Sequence, residues 1–95
     1  MDFNFKEVGI QLPSMSDIEN LNYDELKAVA KFRHHESGWE WYVIAGDNFN
    51  DNDLLLFCYV RGDFNEMGSV MMSSIIGAGA MFCPTFKPVK VADLD

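Results

Sequence analysis

Four side chains able to bind a metal ion or to attack a carbonyl carbon stand out first: His34, His35, Cys58 and Cys83. A zinc centre takes its ligands in close pairs, C-x₂-C or H-x₃-H, so that one turn presents two donors to the same ion. Neither spacing is present, and adjacent histidines at a strand end point to opposite sides. A Cys–His nucleophilic pair needs a thiol whose proton a neighbouring base can take. Cys58 lies among leucine and aromatic residues in mid-strand, the usual setting of an inert thiol. No metal ligand, catalytic residue or cofactor is therefore assigned, and the chain is expected not to be an enzyme.

Two further motifs fail on their own geometry. The stretch DNFNDND from Asp47 resembles a calcium loop in composition. An EF-hand needs oxygen ligands at alternate positions, glycine at the sixth and glutamate at the twelfth. Here those positions hold Phe49, Asn52 and Cys58, so a solvated hairpin loop is the better reading. GAGAMF lacks both the third glycine and the preceding strand of a dinucleotide-binding turn.

Charge is the more informative feature. Fifteen acids against seven bases give the 95-residue chain a formal net charge of −8 and a pI near 4.5. Such a field repels nucleic acid and favours basic partners. Lys27, Lys31 and Arg33 share one strand face beside aromatic residues, in the manner of a stacking platform. Asp47, Asp51, Asp53, Asp63 and Glu66 in the following turns oppose it, so direct nucleic-acid binding is not expected. The acids themselves fall into two groups: Asp17, Glu19, Asp24 and Glu25 in one segment, and Asp51, Asp53 and Asp63 in the turns. Carboxylates spaced like phosphates can occupy a Lys/Arg channel built for DNA or RNA.

The elements that position these residues follow from periodicity. Ser14 before Asp17 is a helix-capping signal, and residues 14–26 read as one or two helical turns with Ile18, Leu21 and Leu26 inward. Lys27 to Arg33 alternates, with Ala28, Ala30 and Phe32 on one side. Trp39 to Ala45 and Leu54 to Arg61 read as the second and third strands, with GDNFNDND as the loop between them. Met67 to Met72 reads as a fourth. Short turns between successive strands imply an antiparallel meander. The fold class is thus α+β: a central antiparallel sheet of about four strands with short peripheral helices, in a single domain spanning residues 1–95. Residues 1–13 form an N-terminal arm or edge strand, and residues 84–95 an extended tail packed on the sheet. For residues 69–83, Ser73 and Ser74 suit a helix cap, whereas Gly77 and Gly79 interrupt a helix.

Strict alternation puts Trp39, Trp41, Val43 and Ala45 on one face and Glu40, Tyr42 and Ile44 on the other. In the third strand Leu54, Leu56, Cys58 and Val60 oppose Leu55, Phe57, Tyr59 and Arg61. Strands apolar on both faces belong at the centre of a sheet covered on each side. The helical segment is expected to cover one face, and the arm and tail the other. Trp41 belongs in the core and Trp39 at its edge. Tyr42 and Tyr59 are placed to form a cross-strand pair with their hydroxyls at the rim.

Lys31-Phe32, Trp39-x-Trp41-Tyr42, Tyr59-Val60-x-Gly62, Glu66-x-Gly68 and Phe86-x-Pro88 together resemble a family of small uncharacterised proteins. That family occurs on bacterial conjugative plasmids, integrated elements and phages. The chain departs from it after Gly68, where Ser69-Val70-Met71 replaces an aromatic pair and SSIIGAGAM replaces an acidic helix. The resemblance implies a mobile-element setting rather than a reaction.

Charge and setting together lead to a specific expectation. The protein is a non-enzymatic inhibitor of phage or plasmid origin that binds the basic surface of a bacterial nucleic-acid-binding defence complex. Anti-CRISPR, anti-restriction and DNA-mimic proteins act in this way. Asp17, Glu19, Asp24, Glu25, Asp51, Asp53 and Asp63 supply the charge, with Trp39 and Tyr42 as anchors. It is expected in the cytoplasm of the bacterial host, away from membranes, as a monomer or homodimer. One alternative is an accessory domain of the element acting through protein binding or through homodimerisation at an exposed edge strand. The other is a minor enzyme using His34, His35 or Cys58.

Overall fold

The structure is a computed structural model, and it describes residues 3–94. Residues 1, 2 and 95, the ends of the expected arm and tail, lie outside the described residues. In chain order the elements are α1 (Met15–Ile18), β1 (Lys27–Ala28), β2 (Ala30–Arg33), β3 (Glu40–Asn50), β4 (Asp53–Arg61), β5 (Asn65–Met71), α2 (Met72–Gly77), β6 (Met81–Phe82) and β7 (Val89–Lys90). Short 3-10 turns at Lys6–Val8, Tyr23–Glu25 and Val91–Leu94 complete them. The class is α+β. Five antiparallel strands form the main sheet in the order β5-β4-β3-β2-β6, and β1 pairs with β7 in a separate two-stranded ladder. The expected meander is thus present as β2 to β5, and the segment after α2 adds a fifth strand beside β2.

Both faces of the sheet are covered, as apolar residues on both sides of β3 and β4 require. On the first face Ala30, Phe32, Trp41, Val43, Leu56 and Cys58 pack with Phe5 of the arm and with Met72 and Ile75 of α2. On the second, Tyr42, Ile44 and Tyr59 pack with Leu26, Ala28 and Val91, and Ile18 and Phe86 lie against them. The division of labour differs from the expected one. The arm and α2 cover the first face, whereas the 14–26 segment and the C-terminal tail share the second. Among the described residues the arm is not an edge strand. It carries one 3-10 turn at Lys6–Val8 and is otherwise irregular, and the Gly46 N–H donates to the Pro13 carbonyl at 2.8 Å. Gly46 permits this approach, because a Cβ there would fall 2.7 Å from the side chains of Leu12 and Leu56.

Three sequence expectations are corrected. First, Lys27–Arg33 is not one strand: it is interrupted at Val29, and Ala28 enters the second core while Ala30 and Phe32 enter the first. Lys27 and Ala28 instead pair with Lys90 and Val89 of the tail. Second, the loop between β3 and β4 is only two residues long, because β3 runs on to Asn50 and β4 begins at Asp53. Third, Leu21 does not face inward; it is 41% exposed. The 14–26 segment makes single turns rather than a continuous helix, so no face of it is buried along its whole length.

Two β-bulges account for the remaining departure from alternation in β3. Val43 pairs with Cys58 and Ala45 with Phe57, leaving Ile44 as an extra residue. Ala45 therefore opposes Phe57 instead of extending the Trp41–Val43 face. The second bulge leaves Phe49 extra between Asn48, opposite Leu54, and Asn50, opposite Asp53. A bulge re-aims the side chain of its unpaired residue. Ile44 stays on the Tyr42 side, in the second core, where alternation also puts it, whereas Phe49 goes into water, 62% exposed.

Candidate functional site

β3 has eleven residues, and at about 3.3 Å per residue it runs most of the length of the molecule. The sheet therefore has two distinct ends. At one, Glu40 of β3 faces Arg61 of β4; at the other, Asn50 faces Asp53. The acids divide between these ends in a way the sequence does not reveal.

Carboxylates gather at the hairpin end. Ser14 and Asp17 form a capping box: the Asp17 N–H donates to the Ser14 hydroxyl at 3.2 Å and the Ser14 N–H to Asp17 Oδ2 at 2.9 Å. The backbone and side-chain hydrogen bonds from Ser14 hold the Asp17 carboxyl below the usual carboxylate range. The same turn meets the hairpin, where the Met15 N–H donates to Asp47 Oδ1 at 3.4 Å. On the far side of the hairpin Asp53 accepts from the Ser73 N–H at 3.0 Å and from the Ser73 hydroxyl. These bonds, the Ser73 hydroxyl first, likewise depress its pKa. Between the arm and the hairpin runs an open groove of about 870 Å³, bordered by Gly46, Asp47, Asn48, Asp51 and Asp53, with Lys6 on its other side. Exposed Phe49 sits in the same hairpin.

The other sequence candidates are not brought together there. Asp24 and Glu25 lie in the turn that leads to Leu26, beside the C-terminal 3-10 turn. Glu25 closes a second capping box, accepting from the Asn22 N–H at 3.0 Å. Asp63 follows β4 at the opposite end of the sheet. Tyr42 cannot anchor a partner, since it is only 4% exposed. It forms the expected pair with Tyr59, ring centroids 6.3 Å apart. Trp41 is buried and Trp39 half-buried, and the Trp39 ring lies over the backbone of Gly62.

A polar cluster forms at the Glu40 end, and two of its members, Lys31 and Tyr42, are residues for which the sequence suggests other roles. Lys31 Nζ lies 2.7 Å from Glu40 Oε2, Arg61 lies 3.8 Å from Oε1, and the Tyr42 hydroxyl donates to Oε1 at 3.2 Å. Arg61 also donates to the Leu94 carbonyl, which fastens the C-terminal turn to the sheet. Partial burial alone would raise the Glu40 pKa; the bond and charge of Lys31, with Tyr42 and Arg61, outweigh it and hold the carboxyl below its ordinary value. Burial would lower the Lys31 pKa, but the same contacts outweigh it and raise the value. A signal for the cluster exists: alternation puts Glu40 and Tyr42 on one face, and the register sets Lys31 and Arg61 on the strands to either side. Lys31 is therefore engaged by Glu40 within the chain.

Burial pushes the Cys58 thiol up to about 12, so it carries no thiolate at neutral pH. Among the described residues no three His, Cys, Asp or Glu side chains converge as a metal site, and no helix is long and apolar enough to cross a membrane. Comparison with known proteins returns no family, no curated protein and no solved structure that matches the chain.

Proposed function

We propose that this is a non-enzymatic binding protein whose hairpin end competes for a basic, nucleic-acid-binding surface, of the kind carried by a bacterial defence complex. The observation that carries the reading is the fixing of Asp17, Asp47 and Asp53 at one end of the sheet by backbone N–H donors. A carboxylate already held by the fold loses less conformational freedom when a cationic partner arrives. Asp51 and Glu19 add exposed charge around them, and the net −8 steers basic partners toward the chain. Phe49 takes the place assigned to Tyr42 as the aromatic anchor, because a large ring turned out by a bulge is available for burial against a partner. Asp24, Glu25 and Asp63 stand apart from the hairpin end, and Trp39 packs on Gly62, so this surface does not include them. The resemblance to mobile-element proteins supports the defence setting and the cytoplasm of a bacterial host as the place of action.

The experiment is affinity capture from bacterial lysate with the wild type, a Glu19→Lys/Asp51→Lys double variant and Phe49→Ser, each at low and high salt. These three side chains are exposed, so the variants keep their fold. A basic nucleic-acid-binding complex captured by the wild type at low salt, and lost with the charge-reversed chain, is the expected result. Equal capture by the wild type and the double variant refutes the reading.

A further inference from the structure

The groove between the arm and the hairpin joins an apolar floor to an acidic rim. Ile10, Leu12 and Leu54 line it; each is half-buried and packs against the first core. Asp47, Asp51 and Asp53 stand along the hairpin side, and Lys6 lies across from them. Among the described residues the groove thus holds three carboxylates against one ammonium. Its volume of about 870 Å³ is within the range of ligand sites, roughly 300–1,000 Å³.

Both walls are fixed by the fold. Phe5 is buried in the core, and the Ile10 N–H donates to its carbonyl at 2.9 Å. On the hairpin side the N–H groups of Met15 and Ser73 hold Asp47 and Asp53. We propose that the groove takes an arginine side chain of the basic partner. The stem lies along Ile10, Leu12 and Leu54, and the guanidinium meets Asp51 and the side-chain amide oxygens of Asn48 and Asn52, which border the same groove. The inference rests on the reading above for its basic partner and names the group that is recognised. Charge complementarity selects this occupant. A phosphate-bearing ligand is repelled by the rim, and a wholly apolar one strips water from the carboxylates with nothing in exchange. Methylene stems of cationic side chains lie readily on apolar surface. A guanidinium is planar, weakly hydrated and rich in donors, so several acceptors around one slot suit it. The compact, strongly hydrated ammonium of lysine fits an apolar floor less well.

The test is an NMR titration of the full chain with three short glycine-flanked peptides, whose central residue is arginine, lysine or citrulline. Arginine should shift the amides of Ile10, Leu12, Asn48 and Asp51 and saturate. Lysine should bind about tenfold more weakly, the worth of one charge-assisted hydrogen bond, and neutral citrulline should not bind. Asn48→Lys and Asp51→Asn change exposed side chains and keep their fold, which circular dichroism checks. Asn48→Lys should abolish the arginine response, and Asp51→Asn should weaken it about tenfold. Asn65→Lys, exposed and at the opposite end of the sheet, alters net charge equally and should leave the response intact. Equal response to arginine and lysine, shifts outside the groove alone, or equal loss in Asn65→Lys would reduce the effect to general attraction of cations and overturn the inference. The peptides need no captured complex. A wild type that captures a basic complex yet shows no groove response to arginine therefore refutes this inference and leaves the reading above standing.

Discussion

Asp53, the first residue of β4, caps α2 from twenty residues away. Its Oδ1 accepts the Ser73 N–H at 3.0 Å, and Oδ2 takes the Ser73 hydroxyl. The residue at the helix N-cap, Met71, has no side-chain oxygen to do this, and first-turn N–H groups otherwise lack an acceptor. Asp53→Asn keeps an acceptor but loses the charge, and Asp53→Ala loses both, so the melting temperature should fall in the order wild type, Asn, Ala. The carboxyls of Asp17 and Asp53 titrate below their unfolded values. Their contribution is therefore complete above the ordinary carboxylate range and lost as pH falls through their depressed values. Acid titration of the melting temperature should show a shallower acid slope in Asp53→Asn than in the wild type.

Gly62 is held by the ring of Trp39. A Cβ there would fall 2.7 Å from the indole, a distance no packed pair tolerates, and its φ is not positive. Gly62→Ala must displace Trp39 and should cost about 1–3 kcal/mol, the usual cost of overpacking. Urea denaturation with tryptophan fluorescence measures both the loss and the movement of the ring. In the background of Trp39→Ala the same change should cost little, which a double-mutant cycle checks.

Glu40 joins Lys31 and Arg61 across three strands. Its side chain is 18% exposed, and ion pairs near the surface contribute little, so Glu40→Gln should cost at most about 1 kcal/mol. The pH dependence is the sharper test. The carboxylate contribution is present above its unfolded value and lost toward acid, and that of Lys31, whose folded value is raised, is lost toward strong alkali. Glu40→Gln should flatten both flanks of the stability profile. If Arg61→Gln loosens Val91–Leu94 in hydrogen exchange, the bond to the Leu94 carbonyl is what retains that turn.

Alternation in Trp39–Val43 and Leu54–Arg61 makes the two central strands, the Tyr42–Tyr59 pair and the core position of Trp41 legible in the sequence alone. The Ser14–Asp17 box is legible too, because both partners lie within one turn. What the sequence hides has non-local causes. The bulges at Ile44 and Phe49 are set by register with β4, and nothing in β3 alone announces them. The strand is interrupted at Val29, and Lys27 and Ala28 on its near side pair with Lys90 and Val89 of the tail, far away in sequence. α2 has an inviting serine pair, but the acceptor that starts it comes from Asp53. Grouping acids by proximity along the chain cannot tell that Asp53 and Asp63, at either end of β4, lie at opposite ends of the sheet.

The central claim is that the hairpin end takes the place of a nucleic acid. The most direct measurement is a fluorescence-anisotropy competition between labelled double-stranded DNA and this protein for the captured complex. Wild type should release the DNA, with a potency that falls steeply as salt rises, and Glu19→Lys/Asp51→Lys should not release it. Formation of a ternary complex with the DNA retained, or equal release by the charge-reversed chain, would contradict the account.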